Sequence, residues 1–596
     1  MAERFHGARA SRRRSTWGVV VFAALALVMV ALPAAATAQL PNPDDPRVGL
    51  DPGFQNAEVA SHGVDLTAHR DRPAGFFLEG NPGSFGFLNS DLAIQDDIAF
   101  VGGFRGWHAW NISDPSNPAL EVGVVCPGGQ GDPSVWGNLL FLSYENPSRT
   151  DCGTQAETAD TAFRGVRIFD ISDLGNPVQV AAVQTCRGSH THTLVTDSND
   201  AENIYVYNSG TSGVRSATHV GRPANCFENG QPVPEASRWA IDVIKVPLAA
   251  PQDAAIVNQP RIFANPDTGA INGLQNSPPT PLHPSGIGWS PQPITDACHD
   301  ITAFPEIGLA AGACEGNGIL IDISDPANPV RVDAVSDPNF AYWHSATFNN
   351  DGTKVVFTDE WGGGTSARCR STDQLSWGAN AIFDIVDGKM EFRSYHKMPA
   401  VQTSQENCVA HNGNLIPVPG RDILSQAWYQ GGHSVMDFTD SSNPKEIAYY
   451  DRGPVSTTTA LVLGGFWSTY FYNGTTFATE LSRGFDAFNY TPTADLTANE
   501  IQAASEPQVD RLNAQLQSEI AWAPSFAVVR SHLDQLIRAG AIGGETLDEV
   551  EKHLAMAEEA TQGKKAKGQL TAAADKLEGE QYDALRGALL DLAGTY

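Results

Sequence analysis

The sequence predicts a mainly β protein, a seven-bladed β-propeller followed by a small C-terminal α-helical bundle. Three observations carry that prediction. Glycine and proline are abundant, 56 and 38 of 596 residues, as turn-rich β architectures require. One turn motif recurs along the chain. Near residue 495 the apolar pattern switches to a helical period, so the two parts are different folds.

Taken from the start, residues 1–38 read as a secretory signal peptide. Arg9, Arg12, Arg13 and Arg14 precede an apolar run from Trp17 to Leu32, and Ala36-Thr37-Ala38 supplies small residues for cleavage before Gln39. The run is too short to anchor the chain, and no later stretch offers the roughly 18 unbroken apolar residues of a membrane span. The mature chain is therefore expected to be exported, periplasmic or extracellular, without a membrane span. Residues 39–56 read as a linker. The net charge of −30 argues against nucleic acid as a partner.

Cys126, Cys152, Cys186, Cys226, Cys298, Cys314, Cys369 and Cys408 form an even set without a CxxC pair. In an exported chain that predicts disulfides rather than clustered thiolate zinc ligation. The spacing suggests sequential bridges, 126–152, 186–226, 298–314 and 369–408, among the many pairings eight cysteines permit.

The propeller, residues 57–492, is announced by repeats. Asn111-Ile112-Ser113-Asp114-Pro115-Ser116-Asn117-Pro118 recurs from Asp170 to Pro177, from Asp322 to Pro329 and from Asp437 to Pro444, and weaker copies surround Asp242, Asp384 and Asn489. Each apolar lead-in predicts a strand. The Asp or Asn accepts backbone N–H bonds in the turn, and the prolines fix φ where no ladder needs a donor. Seven anchors about 50–80 residues apart give seven units of about four short strands, which close radially and leave only short protected edges. These strings resemble the LVIVD-repeat family of exported bacterial and archaeal proteins. The resemblance implies a propeller and no particular reaction. Specificity is expected in the loops at 145–163, 209–237 and 361–377 and in the Pro-rich connection at 245–295.

A second register lies inside the blades. His192 precedes Asn208, His299 precedes Glu315 and His344 precedes Glu360 at one constant spacing. His411 starts the corresponding strand of the next blade, opposite Ala427, and Glu480 holds the carboxylate position of the last. Each pair brackets a β-hairpin, and the first strand of a propeller blade is innermost, so these residues should gather at one mouth of the central channel. His192, His299, His344 and His411 are candidate metal ligands. Asn208, Glu315, Glu360 and Glu480 are candidate ligand-binding groups. Imidazole favours one transition metal, Cu, Zn or Fe, while the carboxylates also admit Ca. Alternatively, each histidine hydrogen-bonds between blades, because four rings must converge within about 2 Å of a common centre to share an ion. His190 lacks a repeat partner and is read as structural. In arrangement, though in no motif, this resembles the copper-bearing selenium-binding or methanethiol-oxidase propellers.

Residues 493–596 read as helices. Leu496-Thr497-Ala498-Asn499-Glu500 contains a capping box, and Val529, Leu533, Leu536 and Ile537 share one face before Gly540. Further helices are expected at about 545–561, 564–577 and 578–592. Leu547, Leu554, Ala557, Gly563 and Leu570 resemble the FIMAH-type appendage of exported hydrolases and surface proteins, which implies docking rather than catalysis.

Neither a nucleophile elbow nor a phosphate loop is present, which removes those hydrolase and nucleotide readings. The sequence therefore points to an exported propeller that binds a small molecule or protein, neither identified, at the channel mouth and blade loops. The alternative is a metal-dependent hydrolase or oxidoreductase with a His/Glu site at the channel. No catalytic residue is assigned.

Overall fold

Antiparallel strands dominate from Val59 to Tyr490, and they form seven blades. The structure is a computed structural model that describes residues 42–596 apart from 154–157, 159, 217, 224–225, 227–238, 266–267, 269–273, 275–294 and 296. The expected signal peptide, much of the 209–237 loop and much of the 245–295 connection lie outside the described residues.

Blades 1 to 6 span residues 89–125, 133–184, 191–258, 300–335, 343–396 and 413–452. Blade 7 takes three strands from 466–490 and its outermost strand, Val64–Asp71, from the other end of the chain, pairing with Gly484–Tyr490. The ring is thereby closed by hydrogen bonds between the two ends of the propeller sequence. In every blade the first strand is innermost, and consecutive first strands lie against one another around the axis. Burial follows from this. Trp343–Phe348 is buried throughout, whereas the outer strand Ala119–Val125 is mostly exposed or half-buried, because only inner strands are covered on both faces.

The repeated turn works as its residues require. Asp322 Oδ1 accepts the Ser324 N–H at 2.9 Å and Asp325 Oδ1 the Ala327 N–H at 3.0 Å. Asp170, Asp173, Asn111, Asp114, Asp437 and Asp440 make the same bonds. The anchor expected at Asp242 is a correction. In blades 1, 2 and 4 the anchor pairs with the first residue of the second strand, as in Ile98 with Asn111, Leu139 with Asp170 and Leu309 with Asp322. In blade 3 that slot is Pro247, paired with Asn203, while Asp242 begins the strand. Ala240-Ile241-Asp242 imitates the apolar lead-in, but the true lead-in is Val243–Val246. The 245–295 connection accordingly begins inside the strand Asp242–Pro247 and includes the strand Ala255–Asn258.

All four expected disulfides are present: Cys126–Cys152, Cys186–Cys226, Cys298–Cys314 and Cys369–Cys408.

The C-terminal part holds helices α1 (Ala498–Ser505), α2 (Phe526–Arg538), α3 (Gly544–Glu558), α4 (Gly563–Ala574) and α5 (Asp583–Gly594). Thr497 and Glu500 form the expected capping box on α1. Glu500 also receives Arg421 of the propeller at 2.9 Å and Arg538 of α2 at 2.7 Å, so α1 ties the two parts together. Val529 and Leu533 are buried, but Ile537 is 41 % exposed; the face of α2 turns towards Leu536 instead.

Between α1 and α2 the chain is not helical. It runs as a strap across the end of the channel where the innermost strands finish. Arg511-Leu512 pairs with Ile94 and Gln95 of blade 1. The Asn513 amide receives the Val135 N–H at 2.8 Å and donates to the Val135 carbonyl at 2.9 Å in blade 2. Ala303 of blade 4 donates to Gln515 O and accepts from Gln517 N, both at 2.8 Å. The Gln517 amide does for Phe348 of blade 5 what Asn513 does for Val135, at 2.7 and 3.0 Å. Trp522 Nε1 donates to Pro417 O of blade 6. The strap thus completes strand ends in five blades.

Candidate metal centre

At the opposite end of the channel, where the innermost strands begin, four imidazoles from blades 3 to 6 form an arc. Ring centroids step from His190 to His299 by 4.2 Å, from His299 to His344 by 3.9 Å and from His344 to His411 by 4.3 Å. A hydroxyl three residues on fixes this alignment. Thr193 donates to Ile301 O of the next blade, Thr302 to Ala346 O at 2.8 Å and Thr347 to Gly413 O at 3.5 Å. In blade 6 the Asn414 amide takes the same place, donating to Phe471 O at 2.9 Å.

Of the four histidines expected at the mouth, His299, His344 and His411 are brought together and His192 is not. His192 is fully buried beside blade 2, with Nδ1 2.8 Å from Ser143 Oγ. His190 occupies the equivalent slot. His-x-x-Thr, present at His190, His299 and His344, is the signal that would have found it. The constant spacing to Asn208 favoured His192 instead, and indeed His192 pairs with Asn208, but as a rung of the ladder.

Glu360 is the carboxylate that joins the arc. Its oxygens lie 3.6 Å from His344 Nε2 and 3.6 Å from His411 Nε2, and it accepts the Tyr429 hydroxyl at 2.5 Å. His344, Glu360 and His411 each bring one ligand atom within 4.8 Å of the other two, as do His299, Asp300 and His344. Glu480 and Asn208 are elsewhere. Glu480 is consumed in its own turn, accepting the N–H groups of Gly465, Ser482 and Arg483. Asn208 donates to Gly188 O and Asp242. Glu315 sits in a hairpin turn at φ 51° and exchanges backbone hydrogen bonds with Trp343, linking blades 4 and 5. Tyr429, at φ 52°, does the same with Phe466 between blades 6 and 7. Gly465 makes room for it, since a Cβ there would meet the Tyr429 carbonyl carbon at 1.9 Å.

Protonation follows from the partners. His411 Nδ1–H donates to the Trp467 carbonyl at 2.5 Å, which leaves Nε2 as the lone-pair nitrogen, buried and without a hydrogen-bond partner among the described residues. Burial holds His411 down to about 3 and keeps His299 and His344 well below the usual imidazole range. All three are neutral, the form that binds metal. His190 differs. Burial pushes it down, but the Glu145 carboxylate, 2.6 Å from its Nδ1, more than offsets this and raises it. The Nε2 atoms of His190 and His299 are 2.5 Å apart, so one proton must lie between them, and the charged His190 supplies it. Burial lifts Glu360 to about 7 against the Tyr429 hydrogen bond.

Above the arc opens a cavity of about 490 Å³, lined by His190, His299, Tyr342, Glu360 and Tyr429 at its floor and by Trp361 and Trp467 among its walls. Two disulfides brace this rim. Cys298–Cys314 adjoins His299, and Cys369–Cys408 ties the 361–377 loop to the strand leading to His411. Sequence reasoning missed Glu145, Tyr429 and Asp300.

No protein-family model matches the chain, and no curated protein sequence matches it. Solved structures of similar fold include the N-terminal domain of Nup159, with TM-score 0.39 and 10% identity over 74% of this chain and 98% of that one. Another is a protein from Lactobacillus plantarum, with TM-score 0.38 and 12% identity over 60% and 83%. A hypothetical selenium-binding protein from Sulfolobus tokodaii gives TM-score 0.34 and 10% identity over 67% and 83%. None of these likenesses bears on function. Among the described residues, no helix is long and apolar enough to cross a membrane.

Proposed function

We propose that the channel mouth is a transition-metal centre that binds and acts on a small molecule in the adjoining cavity. His344 Nε2, His411 Nε2 and Glu360 are the primary ligands; His299, whose Nε2 accepts from the Glu145–His190 pair, packs beside them. The observation that carries this reading is His411, whose Nδ1–H is committed to Trp467 O while its buried Nε2, 3.6 Å from Glu360, has no hydrogen-bond partner among the described residues. A buried nitrogen left unpaired costs free energy unless something binds it. Two imidazoles and one carboxylate suit Zn or Fe, with Cu also served by the nitrogen ligands and Ca poorly matched. Such an ion, when bound, would supply Lewis-acid activation of water, or, if it were Cu or Fe, electron transfer to dioxygen. The chain's own groups position it: Trp467 O fixes the His411 tautomer, and Tyr429 steers the Glu360 carboxylate.

On the motif strings we read the blades, 57–492, as LVIVD-type repeats and the module at 493–596 as FIMAH-like. The Arg-led apolar start and four disulfides support an exported protein, periplasmic or extracellular. The test is inductively coupled plasma mass spectrometry of residues 39–596, exported natively and never exposed to chelator or a nickel column. Near-stoichiometric Cu, Zn or Fe is expected, and His344→Ala with His411→Ala should lower retention at least about 100-fold while unfolding stays cooperative. A protein that takes up no added metal, or a double variant that keeps it, overturns the reading and leaves a metal-free binding propeller.

A further inference from the structure

We propose that the molecule taken by this cavity is an uncharged aromatic bearing one hydroxyl, a phenol, with its ring between the aromatic walls and its hydroxyl on the histidine–glutamate floor. This rests on the metal reading above and adds the class of ligand. The walls set the ring. Phe85, Phe104, Trp361, Leu463, Trp467 and Leu481 surround the space, and aromatic faces favour an aromatic guest. The indoles are held in place before anything binds. Trp361 stands edge-on to Trp377 at 4.5 Å with the Arg368 guanidinium 4.4 Å over it, and Trp467 is edge-on to His411 at 4.9 Å.

Charge excludes other guests. Among the described residues the charged groups of the lining are His190, already matched by Glu145 at 2.6 Å, and Glu360, a ligand of the proposed metal site, and no Lys, Arg or Asp joins them, so a carboxylate or phosphate on the ligand would find no unmatched side-chain cation along the walls. The imidazole and carboxylate groups of the lining are His190, His299 and Glu360, and of these the floor offers Glu360 as both an acceptor and a ligand of the proposed metal site, whose other ligands, His344 and His411, lie 3.6 Å behind it. A hydroxyl satisfies both, donating its hydrogen to the carboxylate and presenting its oxygen to the ion. The loop above lies directly on this floor: at Gly364, φ 62°, a Cβ would meet the Tyr429 ring at 2.3 Å. The volume, about 490 Å³, lies within the range of small-molecule sites.

The experiment uses the mature full chain loaded with Co(II), whose visible bands report the metal site. It is titrated with p-cresol, p-toluate and 4-methylbenzylamine, followed by those bands and by tryptophan fluorescence. p-Cresol is expected to bind at least tenfold tighter than either charged analogue and to shift the Co(II) bands. Phe104→Ala, in the wall and away from the proposed metal ligands, should weaken p-cresol at least tenfold with Co(II) uptake intact. Leu463→Trp, which fills the cavity from its rim, should exclude p-cresol and decides the matter if Phe104→Ala does not fold. Unchanged Co(II) bands with p-cresol, or equal binding of the charged analogues, overturns the ligand class and leaves the metal centre standing. Failure of the chain to take up Co(II) overturns the metal reading and this inference with it.

Discussion

At one end of the central channel the innermost strands begin with His190, His299, His344 and His411; at the other they finish beneath the strap that joins α1 to α2. The same strands are treated differently at the two ends. Under the strap, main-chain groups of Ile94, Gln95, Val135, Ala303 and Phe348 are paired by backbone or by the amides of Asn513 and Gln517. At the mouth, a fully buried imidazole nitrogen, His411 Nε2, has no hydrogen-bond partner among the described residues. The chain therefore has the means to satisfy a channel end, and the mouth keeps donor atoms free beside a cavity. Polar atoms in that condition are expected at binding sites and are costly elsewhere.

Breaking the strap should produce the largest effect on stability. Asn513→Ala with Gln517→Ala removes four hydrogen bonds, about 4 kcal/mol at roughly 1 kcal/mol each, read as a lower midpoint in urea with metal content unchanged. Loss of metal in that variant would mean that the two ends are coupled rather than separate. Next comes the brace at the mouth. Cys298→Ser with Cys314→Ser opens a bridge between cysteines 16 residues apart, expected to cost about 3 kcal/mol. It should also weaken metal retention about tenfold, because His299 adjoins it; unaltered metal affinity would show that the brace serves stability alone.

The smallest effect lies between the ends. Burial, together with Asp91 and Asp300, holds Asp132 well above the carboxylate range, and its Oδ1 is unpartnered. The folded protein thus keeps a proton that the unfolded chain loses near 3.8. More protons are bound in the folded state, so this contribution is present at low pH and is lost as pH rises through the folded value. Asp132→Asn mimics the neutral form. It should match the parent at pH 4 and exceed it by about 1–2 kcal/mol at pH 8, measured by thermal unfolding across that range; parallel curves would show that Asp132 titrates normally.

Much of this architecture is legible locally. The Asx turns at Asp170, Asp322 and Asp437 need only their own next few residues, and the capping box at Thr497 only Glu500. The disulfides followed chain order because each closes a loop within one blade or between neighbouring segments. His299, His344, His411 and Glu360 were legible because duplication put each near the start or end of an inner hairpin. Glu315 and Glu480 shared that register, yet the Glu315 main chain is what links two blades at a left-handed turn, and the Glu480 carboxylate caps its own turn. Spacing assigns a position along a strand but not the direction of a side chain.

The sequence by itself determined the strand-and-turn repeats, the four bridges and the helices, because hydrophobic period, turn chemistry and loop closure act over short stretches of chain. Only the tertiary structure gave the His-x-x-Thr string of His190 its weight over the constant spacing of His192. That choice rests on which threonine hydroxyl meets which carbonyl of the next blade, a contact between residues about a hundred positions apart. It also decided that residues 510–522 cross the end of the channel: Leu512, Leu516 and Ile520 recur every four residues as in a helix, and the hydrogen-bond partners that hold the stretch extended instead exist only once five blades have converged on it.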